Sequence, residues 1–423
     1  MAIKAIKGMN DILPAEAWKW QFVENTARRV FANFGYVEIR PPILEKTELF
    51  ARSIGETTDI VEKEMYTFPD RNSELLTLRP EATASVVRAY IEHALHLQPT
   101  MRKLYTIGPM FRHERPQKGR YRQFHQIDVE AFAIDDPMID AEVIYMLVAF
   151  LDELGIRQVE LHLNSLGCSN CRQPFRASLS SYLDETQESL CADCRRRKLK
   201  NPLRVFDCKV PACRETLERA PKLLEFLCEE CAAHFQSVSD YLRSLGLAAR
   251  VDPYMVRGLD YYTKTTFEVL AEHLGSQNAV GGGGRYDGLM KMLGGPDLPG
   301  IGFAIGMERL IMLLPGEGAR EVRQVDLFVA CLGDEARRFG FSLVQQMRRA
   351  DVHAEADYGN RSLKAQMRLA DKLRAHYVLI VGEDEIARQK GTLRDMRQKT
   401  QVEVPFETMK EQLLTLCGQS LAG

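Results

Sequence analysis

Long hydrophobic runs are missing from this chain. No stretch approaches the roughly 20 apolar residues that a bilayer-spanning helix needs, which excludes the helical membrane proteins. The opening MAIKAIKGMNDILP has no apolar core of the signal-peptide kind and passes at once into an amphipathic pattern, so it reads as mature sequence and points to a cytoplasmic location. Excess charge is missing too. With 56 basic against 58 acidic residues the formal net charge is −2, and a nucleic-acid partner would have to be met by local basic patches rather than by the overall field. The four glycines at 281–284 run into RYDGL and not into Gly-Lys-Ser/Thr, and their spacing is not G-x-G-x-x-G, so neither a P-loop nor a dinucleotide fingerprint is present there. No convincing internal repeat or low-complexity segment occurs.

What the chain does contain is enough sequence, 423 residues, for two or three domains, each with its own core. It also holds ten cysteines, eight of them between Cys168 and Cys231. Such clustering in a cytosolic chain argues for metal binding rather than disulfides.

The stretch 108–130, GPMFRHERPQKGRYRQFHQIDVE, organises the rest. An apolar approach through Leu104, Tyr105 and Ile107 and an alternating return from Tyr121 predict two antiparallel strands joined by a basic loop holding Pro116 and Gly119. At the base of that hairpin Arg112 and Arg122 have the forked donors that hold phosphate, Glu114 accepts from an amino group, and Phe124 offers a ring for a flat base. Singly, each residue also suits an exposed hairpin with solvated charges. As a cluster they point to a nucleotide site without a glycine-rich cradle.

Around this hairpin the periodicity predicts a helix from Asp11 or Pro14 to about Asn33 and a strand over YVEIRPPILE, where Pro41 and Pro42 suit a sheet edge or an interface. A second hairpin turns at Asp70, Arg71 and Asn72 and runs into a helix at Thr83, leaving Glu81 and Thr83 at a strand end, where clefts form. The 281–284 glycines, between a strand and a helix, favour close backbone approach to a ligand. Gly300, Gly302 and Gly306 precede Glu308 and Arg309 at the start of an apolar helix. Beyond residues 315–323, strands alternating with helices predict a small α/β domain with a partly parallel sheet.

Residues 108–130 closely resemble the second signature motif of class II aminoacyl-tRNA synthetases, in the wording of the histidyl-tRNA synthetase family. Gly35 followed seven residues later by Pro42 is similar to the first class motif, GIGFAIGMERLIMLL at 300–314 resembles the third, and RPEAT at 79–83 and RGLDYY at 257–262 match histidine-specific segments. The resemblance covers nearly the whole chain. It implies an α+β catalytic core built on an antiparallel sheet with flanking helices over 1–320, an inserted helical Cys-rich domain over 168–245, and a C-terminal α/β anticodon-binding domain over 324–423. It further implies a homodimer, joined through the first motif, that activates L-histidine with ATP and Mg²⁺ and transfers it to tRNA(His). A non-catalytic histidine-sensing regulatory paralogue would be expected to have lost Arg257 or Arg309 and the C-terminal domain, and both arginines and the domain pattern are present.

Residue by residue, the resemblance places Arg257 beside the α-phosphate as a catalytic group, with Arg112. Glu81, Thr83 and Gln126 would hold the α-ammonium, and Glu130 with Tyr261 or Tyr262 the imidazole. Arg112, Glu114, Phe124 and Arg309 would hold ATP, and Arg115 and Gln117 would face the acceptor end of the tRNA.

The cysteines fall into CxxC pairs: Cys168 with Cys171, Cys191 with Cys194, and Cys228 with Cys231, with Cys208 and Cys213 a looser pair. The first two pairs have the spacing of a four-thiolate structural zinc site, and the other four could make a second. Buried free thiols are the alternative. The basic run 195–200 either faces the acceptor arm or is a solvated helix face. Because no cysteine lies in the expected cleft, activation chemistry is expected to be independent of such a metal.

Overall fold

The computed structural model describes residues 3–55, 58, 60–117, 119–257, 259, 261–271, 279–315 and 325–420. Contacts divide the chain into Met1–Pro315 and Gly316–Gly423. In the first unit the strands are β1 (Val37–Glu38), β2 (Leu44–Lys46), β3 (Tyr66–Pro69), β4 (Leu75–Leu78), β5 (Lys103–Phe111), β6 (Gln123–Phe132), β7 (Val159–Ser165), β8 (Ala249–Val251), β9 (Thr263–Ala271), β10 (Ala279–Arg285) and β11 (Gly300–Gly306). Eight of them form one sheet in the order β1-β5-β6-β11-β10-β9-β7-β8, and β2-β4-β3 form a small second sheet.

The six inner strands of the large sheet are antiparallel throughout, as the hairpin patterns predict. Its two edges differ: β1 runs parallel to β5 and β8 parallel to β7. Both edge strands are short and are reached by long connections, so no tight turn dictates their direction. The second hairpin turns where expected, with Asp70 Oδ1 accepting from the amides of Asn72 (2.7 Å) and Glu74 (2.8 Å).

Strand β6 explains how the sheet makes both a core and a site. Because successive side chains alternate faces, Ile127, Val129 and Ala131 join the core with Val23, Ala27 and Phe31 of the helix Pro14–Asn33 and Ile144, Leu147 and Phe150 of the helix Pro137–Glu153. Phe124, Gln126, Asp128 and Glu130 therefore take the opposite face. Opposite them in register stand small residues of β11: Gly306 against Gln126, Ala304 against Asp128, and Gly302 against Glu130.

The four glycines expected between a strand and a helix lie instead within β10, paired on both sides. Glycine suits a strand poorly, but here neighbouring backbone leaves no room for a side chain: a Cβ on Gly283 would overlap the Gly302 carbonyl. Segment 168–245 is mainly helical, with helices Ser169–Glu185, Ala192–Lys200, Pro211–Leu217 and Glu229–Ser244. The last of these sends Val238 and Leu242 into the main core.

The second unit is a five-stranded sheet of β12 (Leu327–Cys331), β13 (Ala354–Ala356), β14 (Tyr377–Val381), β15 (Lys390–Asp395) and β16 (Gln401–Pro405), in the order β13-β12-β14-β15-β16. Strand β12 is parallel to both neighbours and the remaining pairs are antiparallel, the partly parallel sheet that the alternation predicts. Among the described residues of the whole chain, no helix is long and apolar enough to cross a membrane.

Candidate active site

A cavity of about 500 Å³ opens on the polar face of β6, β10 and β11. The eleven residues expected to bind histidine or ATP all line it: Glu81, Thr83, Arg112, Glu114, Phe124, Gln126, Glu130, Arg257, Tyr261, Tyr262 and Arg309. They come from the end of β4, both strands of the central hairpin, the segment between β8 and β9, and the helix Met307–Leu313.

Three acidic side chains form the inner wall. Glu81 sits where the chain enters the helix Thr83–Glu92, and its carboxylate accepts from the amides of Thr83 (2.8 Å) and Ala84 (3.0 Å), which satisfies orphan donors of the helix start. Burial raises its pKa, and these backbone donors pull the other way. Asp128, only 1% exposed, has no hydrogen-bond partner for either carboxylate oxygen among the described residues. Burial holds its carboxyl well above the usual range, with Glu81 adding repulsion that Arg79 and Arg112 only partly offset.

Glu130, also 1% exposed, is likewise pushed well up by burial, against hydrogen bonds from Thr83 and Tyr286. The tyrosine hydroxyl that donates to Glu130 is that of Tyr286, which follows the β10 glycines and was not singled out from sequence, rather than that of Tyr261 or Tyr262. Tyr261 packs edge-on against Tyr286 at 5.6 Å and at a tilt of 50° against Tyr262 at 4.7 Å, and these rings close that end of the cavity.

The other end is basic. Arg112 donates to the Pro80 carbonyl at 2.9 Å and lies over the Phe124 ring at 5.2 Å. Arg257 is paired with Glu268 at 2.6 Å and lies over the Tyr262 ring at 5.7 Å. Arg309 donates to the Ala279 carbonyl. Burial lowers the Arg309 pKa and Arg120 and Arg112 add repulsion, while Glu114 and Glu268 compensate only in part. A buried cationic cluster short of negative charge suits a polyphosphate.

The structure also departs from the sequence reading. Arg122, expected to share the phosphate with Arg112, does not line the cavity; it donates to the Glu114 carbonyl at 3.4 Å, and Arg120, 3.2 Å from the Glu114 carboxylate, lines the cavity instead. Arg122 has the same parity as Gln126, but it precedes β6, which begins at Gln123, and its amide donates to the Gly8 carbonyl at 2.7 Å, so the alternation of the strand does not fix where its side chain goes. Arg115 and Gln117 lie outside the cavity, exposed on the hairpin loop. Within RGLDYY, Gly258 and Asp260 lie outside the described residues.

Asp128, Glu268 and Tyr286 were missed by sequence reasoning, although Asp128 shares the parity of Gln126 and Glu130. Arg204 and Asp207 also line the cavity and come from the insertion, from which the sequence reading named no cleft residue.

The thiols are grouped differently from the expected set. Cys168, Cys171, Cys191 and Cys194 do not form one site: Cys168 and Cys171 gather with Cys228 and Cys231, and Cys191 and Cys194 gather with Cys208 and Cys213. The reason is topological. The insertion's first and last helices start side by side, so the knuckles farthest apart in sequence meet in space.

Comparisons with known proteins agree with this geometry. Residues 8–310 match the family profile described as histidyl-tRNA synthetase, and residues 326–416 match an anticodon binding domain. The histidine–tRNA ligase of Syntrophotalea carbinolica is 56% identical over 414 residues, covering 98% of this chain and 99% of that protein. That of Geobacter sulfurreducens is 53% identical over 404 residues, covering 96% and 97%. The crystal structure of apo histidyl-tRNA synthetase from S. aureus superposes with a TM-score of 0.83 at 35% identity, over 98% of this chain and 100% of that one. With its catalytic and anticodon-binding parts both matched over nearly their full length, the chain belongs to the histidyl-tRNA synthetase family.

Proposed function

We propose that this chain is a histidine–tRNA ligase: it joins L-histidine to ATP, releasing pyrophosphate, and passes the histidyl group from the adenylate to the 3′ end of tRNA(His). The observation that carries the reading is the polarity of this cavity, with acceptors unpartnered among the described residues at one end and a cationic cluster at the other. The two oxygens of Asp128 and Oε1 of Gln126 have no partner among the described residues, and a buried acceptor without one is costly. An α-ammonium group supplies the missing donors, with Glu81 and Thr83 beside it. The histidine side chain then extends toward Glu130 and Tyr286, whose carboxyl and hydroxyl offer an acceptor and a donor to the two imidazole nitrogens. Tyr261 and Tyr262 shape that end.

This orientation puts the substrate carboxylate toward Arg257. Attack on the α-phosphate brings two anions together, so the site must supply positive charge rather than a base, since the carboxylate is already ionised at neutral pH. Arg112 and Arg257 flank the reacting centre and Arg309 holds the far phosphates, while Phe124 stacks the adenine and Glu114 accepts from its amino group. Glu114 and Glu268, which both act on Arg309, would offer the hard oxygen donors that Mg²⁺ prefers. When bound, Mg²⁺ neutralises charge on the triphosphate.

The same reading has Arg115 and Gln117 meet the acceptor end of the tRNA and the second unit meet the anticodon. It makes the protein a cytoplasmic homodimer, joined at the β1 edge, where Val37, Ile43 and Leu44 are exposed. Amino-acid-dependent exchange of pyrophosphate into ATP, run with all twenty amino acids, tests the central claim. Exchange with histidine alone is the expected result. Exchange with a different amino acid, or none with any, as a regulatory paralogue would give, overturns it.

A further inference from the structure

We propose that the insertion carries two separate zinc centres, each made of four cysteine thiolates, and that the two are nested. The outer centre is Cys168, Cys171, Cys228 and Cys231; the inner is Cys191, Cys194, Cys208 and Cys213. Within each group the four sulfurs lie within 4.8 Å of one another. Zinc bonds to thiolate at about 2.3 Å, so a tetrahedral site has sulfur–sulfur edges of about 3.8 Å. The observed separations bracket that value: 3.6 Å for Cys168–Cys171, 3.9 Å for Cys168–Cys228 and 3.9 Å for Cys191–Cys208. A disulfide needs about 2.05 Å, and all eight thiols are free.

The backbone is arranged for thiolates. The amide of Cys228 donates to Cys171 Sγ at 3.2 Å, that of Cys191 to Cys213 Sγ at 3.1 Å and that of Cys194 to Cys191 Sγ at 3.4 Å. Amide donors at a CxxC turn favour negative sulfur, and they recur in both groups. Three CxxC knuckles stand at helix starts, those of Ser169–Glu185, Ala192–Lys200 and Glu229–Ser244. Merely buried free thiols would account for the packing, but not for two fourfold gatherings with sulfur-directed amides. All-sulfur tetrahedral coordination selects zinc among the divalent ions of the cell, with single iron the other chemical candidate.

Nesting assigns the two centres different work. The outer one ties the place where the chain leaves β7 to the place where it rejoins the core through Glu229–Ser244. Next to Cys171, Arg172 donates to the Leu166 carbonyl at 2.9 Å and to the Tyr262 carbonyl, so this centre braces the wall of the cavity. The inner one ties the tip of the insertion: Cys208 directly follows Asp207, which lines the cavity with Arg204. The expectation that activation is indifferent to the metal is therefore replaced. Loss of either ion should disturb substrate binding although no cysteine touches substrate.

The test is elemental analysis of the untagged, full-length protein, where about two zinc ions per chain are expected. X-ray absorption should show four sulfurs at about 2.3 Å around each. The pairing is read from knuckle variants. Cys168→Ser/Cys171→Ser combined with Cys228→Ser/Cys231→Ser should lose one ion. Cys168→Ser/Cys171→Ser combined with Cys191→Ser/Cys194→Ser should lose both. The reverse pattern would overturn the nesting. Iron in place of zinc, one ion or fewer per chain, or eight insertion thiols that alkylate freely in the native protein would overturn the centres themselves. If the variants precipitate, the stoichiometry and sulfur count of the unaltered protein decide alone. None of these readouts depends on which amino acid the cavity accepts.

Discussion

At Asp128 stability and function pull against each other. Its carboxyl is buried, lacks hydrogen-bond partners among the described residues, and is held well above the usual carboxylate range, mainly by burial. In the folded state the group therefore retains its proton to higher pH than in the unfolded chain. Its stabilising contribution is complete below the unfolded value, near about 3.9, and is lost as pH rises through the folded value. Glu130 is shifted in the same direction by the same cause, and the two losses add. The ligand-free protein should accordingly lose thermal stability as pH rises through the range above about 4.

Asp128→Asn copies the neutral form and should raise the melting temperature at neutral pH, by roughly 2–4 °C for each kcal/mol gained. It should also weaken histidine binding by about 1.5–3 kcal/mol, on the order of 10- to 150-fold, because a charged acceptor for the ammonium is gone. Thermal melts across pH, with and without histidine, check both halves. A variant neither stabler nor weaker in binding would place Asp128 outside the ammonium site. Arg257, by contrast, should act on rate. Arg257→Ala is expected to lower kcat for exchange far more than it raises KM for histidine, because its charge matters most as the phosphate group becomes more negative. A change confined to KM would make Arg257 a substrate holder only.

At the scale of elements, the site exists because β10 and β11 carry so little side chain. A Cβ on Gly302 would overlap both the Glu130 carboxylate and the Val129 carbonyl, and the second is backbone that has no flexible end to move aside. Gly302→Ala should cost about 1–3 kcal/mol of stability and raise KM for histidine more than KM for ATP, because the overlap lies at the imidazole end. Equal effects on both substrates in a folded variant would count against that orientation.

The same strands show what was legible in the sequence and what was not. Phe124 came from the hairpin cluster and Gln126 and Glu130 from the family resemblance; all three share one parity in β6, and Asp128 was available by the same alternation. Glycines 281–284 were expected between a strand and a helix rather than inside a strand, because strand propensity rests on packing, and the packing that keeps them extended is a backbone neighbour on each side. Tyr286 meets Glu130 across 156 residues, a separation that periodicity does not encode, and Glu268 meets Arg257 across an irregular segment that has no period to read. The cysteine spacing disclosed knuckles, but which knuckles join depends on where helix starts meet in space. The helical character of segment 168–245 was plain, whereas its contribution of Arg204 and Asp207 to the cavity left no local signal.

For the whole molecule, the division of labour follows from where the cavity-lining residues sit. All of them precede Pro315, and residues 326–416 match an anticodon binding domain. The first unit also holds the large sheet with its own extensive core, so a chain ending at Pro315 has what it needs to fold. Such a truncation should keep histidine-dependent pyrophosphate exchange and lose most tRNA charging. Salt provides an independent check. Each phosphate contact to the tRNA releases counterions, so the logarithm of kcat/KM for tRNA should fall with the logarithm of salt concentration, and more shallowly for the truncated chain than for the intact one. Exchange with histidine and ATP involves no polyanion of that length and should depend on salt much more weakly in both. If a folded truncation lost exchange along with charging, the second unit would have to be supporting the catalytic site, and the assignment of activation to the first unit alone would fail.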